Sequence, residues 1–241
     1  MTLVSCLVVT LIVWTISLIR SVRLRAVVYS LPIPMTLVLL AAPTVVDGAQ
    51  LLGVVALNLF FVVVAVAHHR FGWPILVADA AGVATYVVLG ASIAAVAPWP
   101  LAPTLTAVVL GWIAANAVLA RRPGDDGPAR PDPRPAAVKL AIAFGGSVLT
   151  IALGGVLHGL VVTFPYAGVL VAVESRADLP QFCRHFAYSC LGMIAFVATF
   201  AVAQTSSRAA ALALAWAAYA VCAGLLLVLR AAGARVARRR P

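Results

Sequence analysis

Charge is what this chain has least of. Only 10% of its 241 residues are charged, and 64% are hydrophobic. A soluble domain is about a quarter charged and about half apolar, so an ordinary soluble protein is excluded. Acidic residues number seven, and lysine occurs once, at Lys139, among seventeen basic residues. The four cysteines (Cys6, Cys183, Cys190, Cys222) show no CxxC or other ligand spacing and read as small packing residues. HExxH, the Walker loop and the Rossmann glycine pattern are all missing. Cys183 and His185, in QFCRHF, stand too close in sequence for a nucleophile pair or a metal site. Neither an enzyme nor a cofactor or metal is expected.

Long apolar runs are what the chain has in plenty. Each crossing of a bilayer as a helix takes ~20 such residues. Breakers divide the runs into nine spans: 3–19, 26–45, 49–67, 74–97, 102–120, 137–155, 157–173, 184–204 and 209–230. The one linker, RRPGDDGPARPDPRPA at 121–136, combines proline, glycine and mixed charge, which oppose both helix and burial. Nine spans put sixteen of the seventeen basic residues on one side and leave Arg208 alone on the other. That asymmetry predicts an external N-terminus, with the linker and the basic tail 231–241 in the cytoplasm. The first charge, Arg20, follows the first apolar run, so that run is expected to be a retained helix and not a cleaved signal. The net charge of +10 reads as topogenic charge at the membrane surface, not as a nucleic-acid footprint. The tail ARVARRRP reads as an anchor to anionic lipid. The Ala, Val and Arg richness suggests a bacterial inner membrane.

Shifting the chain by 131 residues, without gaps, lays spans one to four on spans six to nine. Pro34 then falls on Pro165, Asp47 on Asp178 and Gln50 on Gln181, and nine of the 34 positions from 34 to 67 are identical. Five spans precede the second copy, so it enters the membrane from the opposite side. The expected architecture is all-α: a first four-span repeat (1–100), a connecting span (101–120), the linker, and a second, inverted four-span repeat (137–230). Secondary transporters commonly use this plan.

The second half begins AVKLAIAF, with Lys139 opening the span, and continues through a short HGL turn into TFPYAGVLVAVESRAD. These features resemble the GlpM-like family of small four-span bacterial membrane proteins. Members similarly place a Lys in span one, a Phe-Pro in span two and acidic residues just after it. The resemblance covers 137–230 and implies a four-helix membrane fold, without an assigned chemistry. The first half keeps Pro34 and Asp47 but has no Lys near residue 8 and no Glu at Pro43, so it is a degenerate copy.

Few residues inside the spans can do chemistry. Pro34 and Pro165 fall in the second span of each half, where a proline removes a helix hydrogen bond and kinks or breaks the helix. Transporters expose backbone groups at such paired breaks. Neighbouring helices also accommodate purely structural kinks. Asp79, in WPILVADAAGV, lies about five residues inside span four, with His68, His69 and Arg70 on the same side as candidate partners. Asn58 and Ser189 hold matched mid-span positions, for facing each other or for ordinary interhelical hydrogen bonds. Asp47, Lys139, Glu174, Asp178 and Arg184 gather at span ends as a candidate charge cluster, or as residues solvated at the headgroups.

These readings point to a transporter or translocator of a small solute, ion or lipid-linked molecule. Pro34, Asn58, Asp79, Pro165 and Ser189 would line its path. The alternative is a non-transporting accessory subunit of a cell-envelope pathway. Beyond the lipid bilayer, the open partners are a second copy of the chain or another membrane protein.

Overall fold

A computed structural model describes residues 19, 21–41, 45–96, 98–121, 138, 141, 145, 158–165 and 168–238. Almost all of spans one and six, Lys139, and the linker after Arg121 lie outside those residues. Every regular element among the described residues is helical. In chain order these are α1 (Val22–Tyr29), α2 (Ile33–Ala41), α3 (Gly48–Arg70), α4 (Ile75–Val96) and α5 (Leu101–Ala120), then a 3₁₀ turn (His158–Thr163). There follow α6 (Gly168–Glu174), a short 3₁₀ turn (Arg176–Asp178), α7 (Leu179–Ala203) and α8 (Arg208–Arg238).

Six helical runs in this set are long and apolar enough to cross a membrane: Val22–Leu40, Gly48–Arg70, Ile75–Val96, Leu101–Ala120, Arg176–Ala203 and Arg208–Ala232. The chain thus has the helices of a multi-pass membrane protein. Five of the expected spans appear as continuous helices. Span two is interrupted into α1 and α2. Span seven, expected to be one helix over 157–173, is instead a 3₁₀ turn followed by the seven-residue α6. The tail expected from 231 begins as helix: α8 continues to Arg238 through a stretch rich in Ala and Arg.

The first interruption follows from the proline spacing in SLPIP. Pro32 and Pro34 have no amide hydrogen to give the carbonyls of Val28 and Ser30, four residues earlier. The chain compensates locally. Leu31 N bonds Val28 O at 3.2 Å, and the Ser30 hydroxyl donates to Val27 O at 2.7 Å. Pro34 then falls in the first turn of α2, where a proline is tolerated. Thr36 restarts the ladder, its amide at 2.9 Å and its hydroxyl at 2.7 Å from Pro32 O.

Helices α3 and α7 form the centre, and they pack against each other. In lipid, van der Waals fit and buried hydrogen bonds hold helices together, because the surroundings are as apolar as the core. Phe60 and Phe61 of α3, Phe182 and Phe186 of α7 and Tyr29 of α1 form one aromatic cluster. Its ring centroids are 4.9–6.1 Å apart. Close packing of α3 on α4 depends on Gly82, where a Cβ would lie 2.6 Å from Val64 Cγ2. Polar clamps tie the periphery. Trp112 of α5 donates to Ala187 O at 2.8 Å, and the Gln204 amide both donates to and accepts from the Val46 backbone.

Candidate functional site

The two interrupted runs meet. Tyr29, the last residue of α1, has its hydroxyl 3.1 Å from where a Cβ on Gly168, the first residue of α6, would stand. Phe60 Cε1 is 2.9 Å from that point on another side, so only a glycine fits without displacement. Pro165 is buried at the second break, and its carbonyl accepts from Gly168 N at 2.9 Å, closing a turn into α6.

The 3₁₀ turn ahead of Pro165 is docked by side chains. Tyr86 of α4 donates to Leu160 O at 3.1 Å and lies 2.8 Å from Thr163 Oγ1. A carbonyl outside an α-helical ladder thereby finds a donor, which hydrocarbon alone would not supply. Thr163 presses onto α3 at Gly53, where a Cβ would overlap Thr163 Oγ1. Paired prolines reveal the break in the sequence. Nothing in the local pattern points to Tyr86 or Gly53 as its dock.

Asp79 lies on the packed face of α4. The buried positions Ile75, Ala78, Asp79, Gly82, Val83 and Tyr86 recur at the three- and four-residue intervals of one helix face. Asp79 is 2% exposed, and neither carboxylate oxygen has a hydrogen-bond partner among the described residues. It faces the interior of the bundle. The basic partners suggested for it are engaged elsewhere or exposed. His68 Nδ1 is 2.8 Å from Trp73 O, His69 Nε2 is 2.9 Å from Arg176 O, and Arg70 is exposed.

Asn58 and Ser189 do not pair. The Asn58 amide donates to Val54 O at 2.9 Å in its own helix and to Cys190 Sγ at 3.4 Å across the α3–α7 crossing. Ser189 is buried on the neighbouring face. There it lines a cavity of about 30 Å³ between α1, α7 and α8, together with Ser30, Tyr219 and Arg230. That is room for about one water. Ser30 Oγ and Tyr219 Oη are 3.3 Å apart, and the Arg230 guanidinium lies 3.7 Å from the centre of the Tyr188 ring.

The candidate charge cluster separates into two kinds of residue. Asp47 caps α3: its carboxylate accepts from Ala49 N at 2.7 Å, and Gln50 Oε1 accepts from Asp47 N at 2.7 Å. Asp178 holds the N-cap position of α7. Glu174 is buried at the end of α6, and there the organiser is Arg25 of α1, which charge counting treats only as topogenic. Arg25 is 4% exposed and donates to Glu174 O at 3.1 Å, Ser175 Oγ at 3.0 Å and Ile19 O at 2.8 Å. It binds α1 to the α6–α7 junction. Arg184 is half-buried on α7 and is not part of this junction. Lys139 lies outside the described residues.

Among the described residues, no three His, Cys, Asp or Glu side chains stand together in a way that could hold a metal ion. No family model, curated protein or solved structure matches the chain.

Proposed function

We propose that this chain is a membrane translocator of a small solute, ion or lipid-linked molecule, working at the seam where its two interrupted helices meet. The observation that carries this reading is the contact between the breaks, Tyr29 against Gly168. A continuous helix satisfies its own backbone and gives a polar substrate no free backbone group to bind. An interrupted one leaves carbonyls and amides that neighbours must satisfy, and such backbone is tolerated at membrane depth only inside protein or along a cavity. Two interruptions in contact put that backbone in one place, and the helix that docks the second carries the buried Asp79, which has no hydrogen-bond partner among the described residues.

On this reading the chain crosses the membrane nine times, as two inverted four-span repeats joined by the span now seen as α5. Three correspondences at the offset of 131 support it. Pro34 and Pro165 accompany the two breaks, and Asp47 and Asp178 stand at the N-caps of α3 and α7. Those two long helices pack against each other at the centre, where related elements of an inverted repeat belong. The likeness of 137–230 to GlpM-like proteins fits the same plan, and the asymmetry of the basic residues favours a cytoplasmic linker.

Flux through proteoliposomes holding the full chain tests the proposal, using a panel of inorganic ions, amino acids, sugars and fluorescent phospholipids. At least one class should move in a protein-dependent way. Gly168→Val, which fills the seam, should stop it. No flux for any class, with a second membrane protein co-purifying at fixed stoichiometry, would instead make the chain an accessory subunit.

A further inference from the structure

The least explained group in the molecule is Asp79. Burying a carboxylate is tolerated when it is paired, hydrogen-bonded or bound to a cation. Among the described residues Asp79 has no hydrogen-bond partner at either oxygen. Its site is built and not frayed, since Ala78, Gly82, Val83 and Tyr86 beside it on the helix face are all buried.

The elements packed on α4 are α3, the 3₁₀ turn His158–Thr163 and α6. Charged or titratable residues on α3 are Asp47 at its cap, and His68, His69 and Arg70 at its far end. The histidines are bonded to Trp73 and Arg176 carbonyls, and Arg70 is exposed. Helix α6 brings only another acid, Glu174, and His158 opens the 3₁₀ turn. Arg25, the buried base at the α6–α7 junction, donates to Glu174 O, Ser175 Oγ and Ile19 O. Among the described residues no fixed cation is hydrogen-bonded to Asp79.

We propose that Asp79 is a binding site for an exchangeable monovalent cation, a proton or a sodium ion, which neutralises the carboxylate inside the bundle. A divalent ion fits poorly. Calcium takes six to eight oxygen ligands, commonly several carboxylates, and magnesium takes six. Among the described residues Asp79 belongs to no group of three or more His, Cys, Asp or Glu side chains. A single negative charge in a packed, buried face is balanced by one positive charge. That cation arrives and leaves as the helix face opens to water on either side. Its use as the coupling ion of transport rests on the translocator reading, whereas its binding does not.

The test uses the full chain in phosphatidylcholine vesicles and the probe N,N′-dicyclohexylcarbodiimide. A neutral carboxylic acid adds its O–H across one C=N bond of this apolar reagent, with no leaving group. Carboxylates exposed to water react slowly. Peptide mapping by mass should find Asp79 modified and Asp79→Asn unmodified at that peptide. Modification should fall about tenfold for each pH unit above the titration point if the ion is a proton. At fixed pH it should fall on adding sodium chloride, but not choline chloride, if sodium binds. Absence of modification at Asp79 overturns the proposal. So does modification indifferent to both pH and sodium. Because the wild-type chain carries the measurement, a misfolded variant cannot rescue or sink it. Modification that responds to cation without solute flux upholds the site and removes the translocator reading. Flux without modification removes the site alone.

Discussion

Gly53 offers the sharpest check on the docked turn. In Gly53→Ala the new Cβ would overlap Thr163 Oγ1 and stand 3.0 Å from both Thr163 Cβ and Leu160 Cδ2. Leucine can swing its tip. Thr163 is stiff at its branched β-carbon, and its hydroxyl lies 2.8 Å from Tyr86 Oη, so the turn itself must withdraw from α3. Overpacking costs about 1–3 kcal/mol. The two Tyr86 hydrogen bonds add about 1 kcal/mol together at the strength measured inside membranes. Alanine's better helix propensity returns up to about 1 kcal/mol. The net loss is therefore about 1–3 kcal/mol. Gly111 in α5 is the control, because a Cβ there meets nothing within 4 Å and only the propensity gain remains. Thermal unfolding of both variants in one detergent, followed by tryptophan fluorescence, should place Gly53→Ala several degrees below wild type and Gly111→Ala at or above it. Thr163→Ala, added to Gly53→Ala, should recover part of the loss, so the pair will not be additive. A Gly53→Ala protein as stable as Gly111→Ala would refute the docking of the turn on α3.

Asp79→Asn should keep or raise the unfolding temperature, since it removes a charge whose insertion costs ~2.5–3.5 kcal/mol, while abolishing any cation-dependent flux; a large loss of stability would mean the carboxylate is a structural ligand. Asp47→Ala should lower stability by about 1 kcal/mol through loss of the α3 cap, measured by the same melts. Reporter fusions after residues 23, 70, 128 and 235 should be cytoplasmic and those after 47, 100 and 207 external. A cytoplasmic reporter at 100 would remove the nine-span arrangement and the inverted repeat together.

How much of this was legible depended on the range of the interaction. Spans three, four and five were expected at 49–67, 74–97 and 102–120, and α3, α4 and α5 occupy Gly48–Arg70, Ile75–Val96 and Leu101–Ala120. Hydropathy finds what lipid demands. It misses where a polar first turn begins: α7 starts at Leu179, five residues before the expected span, because Pro180 suits a first turn and the polar stretch QFCRH is helical nonetheless. The prolines marked both interruptions, since a missing amide hydrogen is a local fact. Which chain lies against each break is not local. Tyr86, Gly53 and Arg25 act over 74 to 150 positions of sequence, and one sequence without its packing does not reveal such pairs. Asn58 shows the same limit at finer grain. Its partner is Cys190 and not the matched Ser189, because a helix crossing chooses a face and periodicity alone does not fix its angle.

The placement of Asp79 and of the breaks bears on which functional class the molecule belongs to. An accessory subunit needs a stable exterior and gains nothing from an uncompensated carboxylate in its packed interior. Stability alone would favour an apolar residue of similar volume at position 79. Strain of this kind persists where activity uses it, and it is offset elsewhere by good packing. Here the offsets are specific: the aromatic cluster of α1, α3 and α7, the Arg25 junction and the Tyr86 dock all surround the breaks without covering Asp79 with a donor. The packed elements thus enclose a carboxylate that has no hydrogen-bond partner among the described residues. On the proposed reading an exchangeable cation completes that arrangement, and α4 turns the Asp79 face inward, away from the surfaces a partner subunit would touch.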